Sequence, residues 1–309
     1  CYAVLSTPEN SSGRPRPPSN VKLIASLREQ IAKPYAAMKV SGFIPCFNNA
    51  GTILEAVEGM RSQSIALEEI YVVDDGSTDD SVNLVKDAGI EVISHKENLG
   101  RGATRRDGMK RSNNEFILCC DATNRLEPDF LKKALRHFEN KAIASVSGRI
   151  VGREPKTFVD RWRGRHLFKE EVVFPGAGPD VMLITYGTLM RRSPTIEVGN
   201  FDATLRHTED GELGDRLLAA GYEIWGDCDL IVTSLTNNTL GEVLERYWRW
   251  YAGKEEQMNL ATYWHDLKGS IRPMAASDLA KGDWACALIS LLSPHYRFWK
   301  SFCNKLRSK

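Results

Sequence analysis

From Lys39 to about residue 152 the chain alternates short apolar runs with longer amphipathic ones, and no other feature restricts its fold so much. "KVSGFIPCF", "EEIYVVDD", "IEVISH", "EFILCCD" and "AIASVSGRIV" read as strands. "GTILEAVEGMRSQ", "STDDSVNLVKDAG", "GRGATRRDGMKRS" and "EPDFLKKALRHFEN" read as the helices between them. Ser77, Thr78 and Asp79 are expected to cap the second helix, and Pro128 to stand near the first turn of the fourth. Such alternation predicts right-handed βαβ units and a mostly parallel, Rossmann-like α/β sheet flanked by helices. Ligands of such sheets bind beyond the carboxyl ends of the strands. Four places then stand out: Pro45–Cys46, Asp74–Asp75, His95 to Gly102, and Asp121.

The flanking segments read differently. Residues 1–37 form a proline-rich arm with a short candidate helix, "NVKLIASLREQIAK", capped by Asn20. The α/β domain is expected over 38–235. Its later part loosens, with "FPGAGPD" as a loop, then recovers in "TEDGELGDRLLAAGYEIW", a helix closed by Gly221 and followed by a strand. Residues 236–309 read as a helical, aromatic-rich extension. The chain starts at Cys1 rather than Met, which suggests a trimmed or fragmentary start.

Composition narrows the function classes. The 41 basic and 40 acidic residues nearly cancel, so nothing draws the chain as a whole to nucleic acid. The seven cysteines form no CxxC pair, and reduced thiols in a cytoplasmic protein are expected. No apolar run approaches the length of a membrane span.

Several segments could carry chemistry. "VVDDGSTD" sets Asp74 and Asp75 on a strand end, where a carboxylate can accept hydrogen bonds from a base or ribose; equally, these acids could only cap the turn. "NLGRGATRRDG" opens a helix with glycines and Arg101, Arg105 and Arg106, an arrangement suited to an anion or to a solvated face. "TEDGEL" places Glu209 and Asp210 at a helix start, where acids also serve the helix dipole.

Together, "IPCFNNAGTILEAVEGMRSQS", "IYVVDDGSTDDS", "ENLGRGATRRDG", "CCDATNRLEPDFL" and "VGNFDATLRHTEDGELGDRLLAAGY" resemble the family 2 glycosyltransferases, over about Lys39 to Ile231. The resemblance implies a GT-A fold and inverting transfer from a nucleotide-diphosphate sugar, UDP-sugar by default, to a glycan or lipid-linked acceptor. It implies that Asp75 contacts the nucleotide base, that Pro45 and its neighbours line the same pocket, and that Arg105 lies near the nucleotide. It makes Asp210 the general base, with Glu209 beside it as the alternative.

The chain departs from the family at Asp121. A D-x-D pair usually stands here, its outer acid holding Mg²⁺ or Mn²⁺, whereas this chain has Thr123. A hard cation prefers charged oxygen ligands, which a threonine hydroxyl does not supply. A histidine ligand that many relatives carry near "VTSLTNN" is also missing. Three readings stay open: a metal held loosely by Asp121 and the diphosphate, cationic side chains in its place, or a homologue that binds nucleotide-sugars without catalysis. A nucleotidyltransferase would need a basic glycine-rich signature near the first strand, and "IPCFNNAG" has none.

"ERYWRWYAGK" is similar to the (Q/R)xxRW element of processive family members, with Arg246, Arg249 and Trp250 matching. By that likeness it would meet the diphosphate and acceptor; otherwise it is an aromatic helix packed on the core. The basic and aromatic run "HYRFWKSFCNKLRSK" suits an interfacial helix on anionic lipid, and equally an ordinary amphipathic terminus. A cytoplasmic protein, peripheral on the inner membrane face, is the resulting expectation.

Overall fold

Apolar residues fill Val40–Cys46 (β1), which is buried almost throughout, as a strand covered on both faces requires. A computed structural model describes residues 38–172, 176–180, 182–251 and 259–307, so the expected N-terminal arm and its helix lie outside the described residues. Residues 39–309 make one compact unit.

After β1 come Ile53–Arg61 (α1), Glu69–Asp74 (β2), Ser81–Asp87 (α2), Glu91–Ser94 (β3), Arg101–Arg111 (α3) and Phe116–Cys120 (β4). Then follow Asn124–Leu126 (β5), Phe130–Leu135 (α4), Ile143–Val151 (β6), Phe158–Trp162 (α5), Ala177–Asp180 (β7) and Gly187–Arg191 (β8). Arg192–Glu197 (α6), Glu209–Ala219 (α7) and Glu223–Ser234 (β9) complete the α/β part. Helices at Leu240–Tyr251 (α8), Leu260–Gly269 (α9), Ala276–Ala280 (α10) and Trp284–Arg307 (α11) close the chain.

The described strands form a nine-stranded sheet in the order β3-β2-β1-β4-β8-β6-β9-β5, with β7 beside β9. β1, β2, β3, β4, β6 and β9 run one way and β5, β7 and β8 the other. The sheet is therefore mostly parallel, and the carboxyl ends of β1, β2 and β4 share one edge. Two details differ from the sequence reading. α2 begins at Ser81, because the Asn48 side chain accepts from the Thr78 N–H at 2.8 Å and the Ser77 hydroxyl accepts from the Asn48 N–H at 2.9 Å. Ser77 and Thr78 thus serve the turn, while Asp79 accepts from the Ser81 N–H at 3.1 Å and Asp80 is the N-cap residue. Part of the "FPGAGPD" loop is strand β7, since antiparallel pairing to β9 supplies what local propensity does not.

A core of Phe43, Tyr71, Met109, Ile117, Met190 and Leu213 packs between the sheet and α3, α7 and their neighbours. A second core, with Trp162, Phe168, Val243, Tyr247 and Ile289, ties α8 and α11 to α5 and β6. The buried Trp162 indole donates to the Ser290 hydroxyl at 2.8 Å, and that hydroxyl donates to Asp278 at 2.7 Å. The six described cysteines carry free thiols. No helix among the described residues is long and apolar enough to cross a membrane.

One close approach is testable. Gly102, in the first turn of α3, donates its N–H to the Leu205 carbonyl at 3.0 Å, and an added Cβ would collide with the Asp202 and Leu205 carbonyl oxygens. Backbone cannot yield as a flexible side chain does. Gly102→Ala should cost about 1–3 kcal/mol by overpacking, read as a lower urea midpoint at unchanged slope. An unchanged midpoint would refute this.

Candidate functional site

The turn after β2 is the first corner of the site. Gly76 has φ 76°, in the left-handed region that favours glycine, and this reverses the chain behind Asp75. Asp74 accepts from the Ser77 N–H at 3.2 Å. Asp75 is 4% exposed: its Oδ1 lies 2.8 Å from His95 Nδ1 and accepts from the Leu99 N–H at 2.9 Å, while Oδ2 accepts from the Gly100 N–H at 2.9 Å. His95 Nε2 in turn lies 3.2 Å from Asp107. Asp75 thereby fastens the 95–100 loop to β2. A nucleotide would have to displace one of these bonds to reach it, whereas Pro45 stands half-buried at the end of β1.

The second corner joins three elements through Arg105. One guanidinium nitrogen donates to Glu209, at the start of α7, and Nη2 donates to Asp121 Oδ1 at 2.7 Å, just beyond β4. Desolvation opposes the Arg105 charge, but Asp121 first, then Cys119 and Asp210, more than offset it, so its pKa rises above the ordinary value. Arg105 is 2% exposed and braces the two carboxylates of Asp121 and Glu209. Glu209 is equally enclosed at 1%. Burial separates the two acids of "TEDGEL": Glu209 is the counter-ion of Arg105, whereas Asp210 is only half-buried. Asp210 Oδ1 accepts from the Gly211 N–H at 2.9 Å, and Oδ2 lies 3.4 Å from the Thr185 hydroxyl.

The "CDATN" turn is held by its main chain. Asn124 donates its N–H to the Asp121 carbonyl at 2.9 Å and its side-chain amide to the Tyr186 carbonyl at 3.0 Å. The Thr123 carbonyl accepts from the Leu235 N–H at 2.8 Å, which ties the turn to the segment leading into α8. A divalent cation would find one partly exposed carboxylate here, already bonded to Arg105, and the neutral Thr123. Among the described residues no three His, Cys, Asp or Glu side chains gather as a ligand set. These residues do not fit a protein-built metal site.

α8 supplies the third corner. A cleft of about 460 Å³ is lined by Asn238, Glu242, Glu245, Arg246, Arg249 and Tyr296. Desolvation first, then the charges of Arg163, Arg249 and Arg101, push the Arg246 guanidinium down to about 10, with Asp121 pulling the other way. Arg101, Arg246 and Arg249 make no hydrogen bond or ion pair among the described residues. An anion entering here would meet Arg246 and Arg249, which no carboxylate among the described residues holds in a hydrogen bond, although Glu242 and Glu245 line the same cleft. Trp250 is 43% exposed, with its ring 6.1 Å from that of Phe168.

Sequence reasoning left out two residues. Arg163, buried at 2%, donates to the Thr236 carbonyl at 2.5 Å and to Asn238 Oδ1 at 2.8 Å, bracing the cleft wall. Its signal was an arginine set among Trp162, Leu167 and Phe168, on a helix face too apolar for a solvated charge. Thr185, beside Asp210, carried no signal, since it lies outside every recognisable motif.

The chain is similar to known glycosyltransferases in sequence and in fold. The poly-beta-1,6-N-acetyl-D-glucosamine synthase of Staphylococcus epidermidis is 22% identical over 268 residues, covering 82% of this chain and 64% of that protein. The pre-mycofactocin glycosyltransferase of Mycobacterium tuberculosis is 31% identical over 197 residues, covering 60% and 40%. The chain thus spans less than two thirds of either relative. Among solved structures, a Pyrobaculum calidifontis mannosyltransferase in complex with GDP-Man and Mn²⁺ superposes with a TM-score of 0.61 at 14% identity, over 93% of this chain and 95% of that one. S. aureus TarS 1–349 gives 0.51 at 19% identity, over 86% and 89%. Both show the fold, a GT-A arrangement. The model of glycosyl transferase family 2 matches residues 41–199, which hold β1 to α6 and the corners at Asp75, Arg105 and Asp121, and the chain belongs to that family.

Proposed function

We propose that the protein is an inverting glycosyltransferase of glycan or exopolysaccharide synthesis. It moves a sugar from a nucleotide-diphosphate donor, UDP-sugar by default, to a hydroxyl of a glycan or lipid-linked acceptor, in the cytoplasm or at the inner face of a membrane. The observation that carries the reading is a half-buried Asp210 whose charge acts on Arg101, which in turn lies close enough to act on Arg246 and Arg249 of the cleft. Asp210 takes the proton of the acceptor hydroxyl as its oxygen attacks the anomeric carbon. The new C–O bond forms opposite the one that breaks, and the electron pair of the old bond leaves with the diphosphate. A single displacement with no protein nucleophile inverts the anomeric centre. Asp74 and Pro45 stand on the nucleotide side of this scheme, and Trp250 offers the acceptor a stacking face.

The arginines meet the charge that develops on the departing diphosphate, where preorganised cations act most strongly. The mannosyltransferase neighbour holds Mn²⁺, but the donor set of this chain does not fit such an ion, and no step is derived through one. Turnover should therefore depend only weakly on Mg²⁺ or Mn²⁺. Thr123→Asp should steepen that dependence, and Arg249→Ala should lower kcat more than it weakens donor binding. Metal titration of parent and variants decides this: steep, tight metal dependence in the parent with a silent Arg249→Ala would overturn the role of the arginines.

The function itself is tested by a donor screen, starting from N-acetylglucosamine and mannose nucleotides, the sugars named in a relative and a neighbour. Binding below about 1 mM with nucleotide release on adding acceptor is expected. Failure of every donor to bind would end the reading. Binding without turnover, unchanged by Asp210→Asn, would instead favour a nucleotide-sugar-binding homologue with a scaffold role.

A further inference from the structure

The C-terminal helices leave one face uncovered. On α11, Trp284 (72% exposed), Leu288 (62%), Leu292 (47%), Trp299 (56%) and Phe302 (55%) all face outward. At about 100° per residue they fall within an arc of about 80°. The opposite side of α11 is buried through Cys286, Ile289, Ser293 and Arg297. α9 lies alongside, its Tyr263 hydroxyl 2.9 Å from His295 and its ring 5.0 Å from Phe298, and it adds Trp264 at 57% exposure. An apolar stripe this long, carrying three exposed tryptophans, is far from the scattered apolar residues of an ordinary soluble surface.

Within residues 259–303 the exposed charges left without a partner are basic. The acids of 259–303 are Asp266, Asp278 and Asp283, and each is engaged inward: with Arg297, with Arg165 and His166, and with Arg161. Exposed Lys268 and Arg272 have no partner among the described residues. Two members of the basic run at 295–309, Arg297 and Lys300, do not supply this charge as the sequence suggested. Arg297 is buried against Asp266, and Lys300 lies 3.0 Å from Glu245 and over the Trp248 ring.

We propose that this face of α9 and α11 docks on an anionic lipid bilayer, with the tryptophans at headgroup level and Lys268 and Arg272 against lipid phosphates. Indole rings favour that depth, and basic residues near an anionic leaflet add to the binding. A two-fold contact with a second copy would set the same cationic margin against itself, which disfavours that occupant. Tyr296 links the stripe to the cleft, since it lines the cleft and its ring lies 5.8 Å from that of Trp299. The docking does not depend on the proposed transfer reaction.

Flotation of the full chain with phosphatidylcholine vesicles containing about 30% phosphatidylglycerol tests it without donor or acceptor. The parent should float, with a blue shift in tryptophan emission. Trp284→Glu with Leu288→Glu should cut the floated fraction at least about tenfold at an unchanged melting temperature. Lys268→Glu with Arg272→Glu, which leaves the stripe intact, should weaken binding in a salt-sensitive way. A parent that stays at the bottom of the gradient overturns the proposal, as do variants that float as the parent does. A concentration-dependent dimer dissolved by Trp284→Glu with Leu288→Glu also overturns it, assigning the face to a second copy.

Discussion

Asp210→Asn should lower the rate of sugar transfer by about 10²–10⁴-fold while donor affinity stays within about twofold. Asparagine keeps the shape of the side chain and can still accept from the Gly211 N–H, so α7 should begin as it does in the parent. The variant loses only the capacity to take the acceptor proton. Glu209 cannot stand in, because it is enclosed at 1% exposure and committed to Arg105. Single-turnover measurements with saturating donor separate chemistry from binding. A variant retaining more than a tenth of the parent rate would place the base elsewhere. Equal losses in donor affinity and rate would make Asp210 a binding residue.

The second large effect is expected at Arg105. Arg105→Met leaves Glu209 charged, enclosed and without its cation, and breaking a buried pair in this way costs about 3–5 kcal/mol. Removing both charges avoids that penalty, so Arg105→Met with Glu209→Met should recover most of the stability. Equilibrium denaturation of the parent, both single variants and the double variant forms a complete cycle, in which residues in direct contact should be strongly non-additive. A double variant no more stable than Arg105→Met alone would mean that the pair is not what holds α3 to α7. Activity should stay low in the double variant even as stability returns, because Asp121 loses its brace.

The sequence made some of this legible, for reasons that particular residues make plain. Asp75 and Asp121 could be brought together on paper because β1, β2 and β4 are parallel neighbours, whose ends must share an edge. Arg105 could be placed near that edge, but its burial could not be read. Arg101–Arg111 is so polar that no apolar stripe reveals which side faces the core, and Thr104, Arg105 and Gly108 are buried all the same. The insertion of antiparallel β8 between β4 and β6 was likewise hidden. Strand order in that half is set by long-range pairing, to which local periodicity is blind. At α2 the signal of Ser77 was diverted to the Asn48 loop, whereas Asp79 serves both, one oxygen accepting from the Ser81 N–H at the helix start and the other from the Ala50 N–H.

The hydrogen bond between the Thr123 carbonyl and the Leu235 N–H has an evolutionary consequence. It is made by backbone atoms alone, so every residue except proline at position 235 preserves it, and position 123 contributes the same acceptor whatever its side chain. The side chain at 123 is therefore free to drift: an acid, a hydroxyl or a methyl could succeed one another there while the turn keeps its grip on the segment entering α8. Chemistry and architecture are inherited separately at this position. A lineage could exchange one means of neutralising a leaving group for another through single substitutions, without passing through an unfolded ancestor.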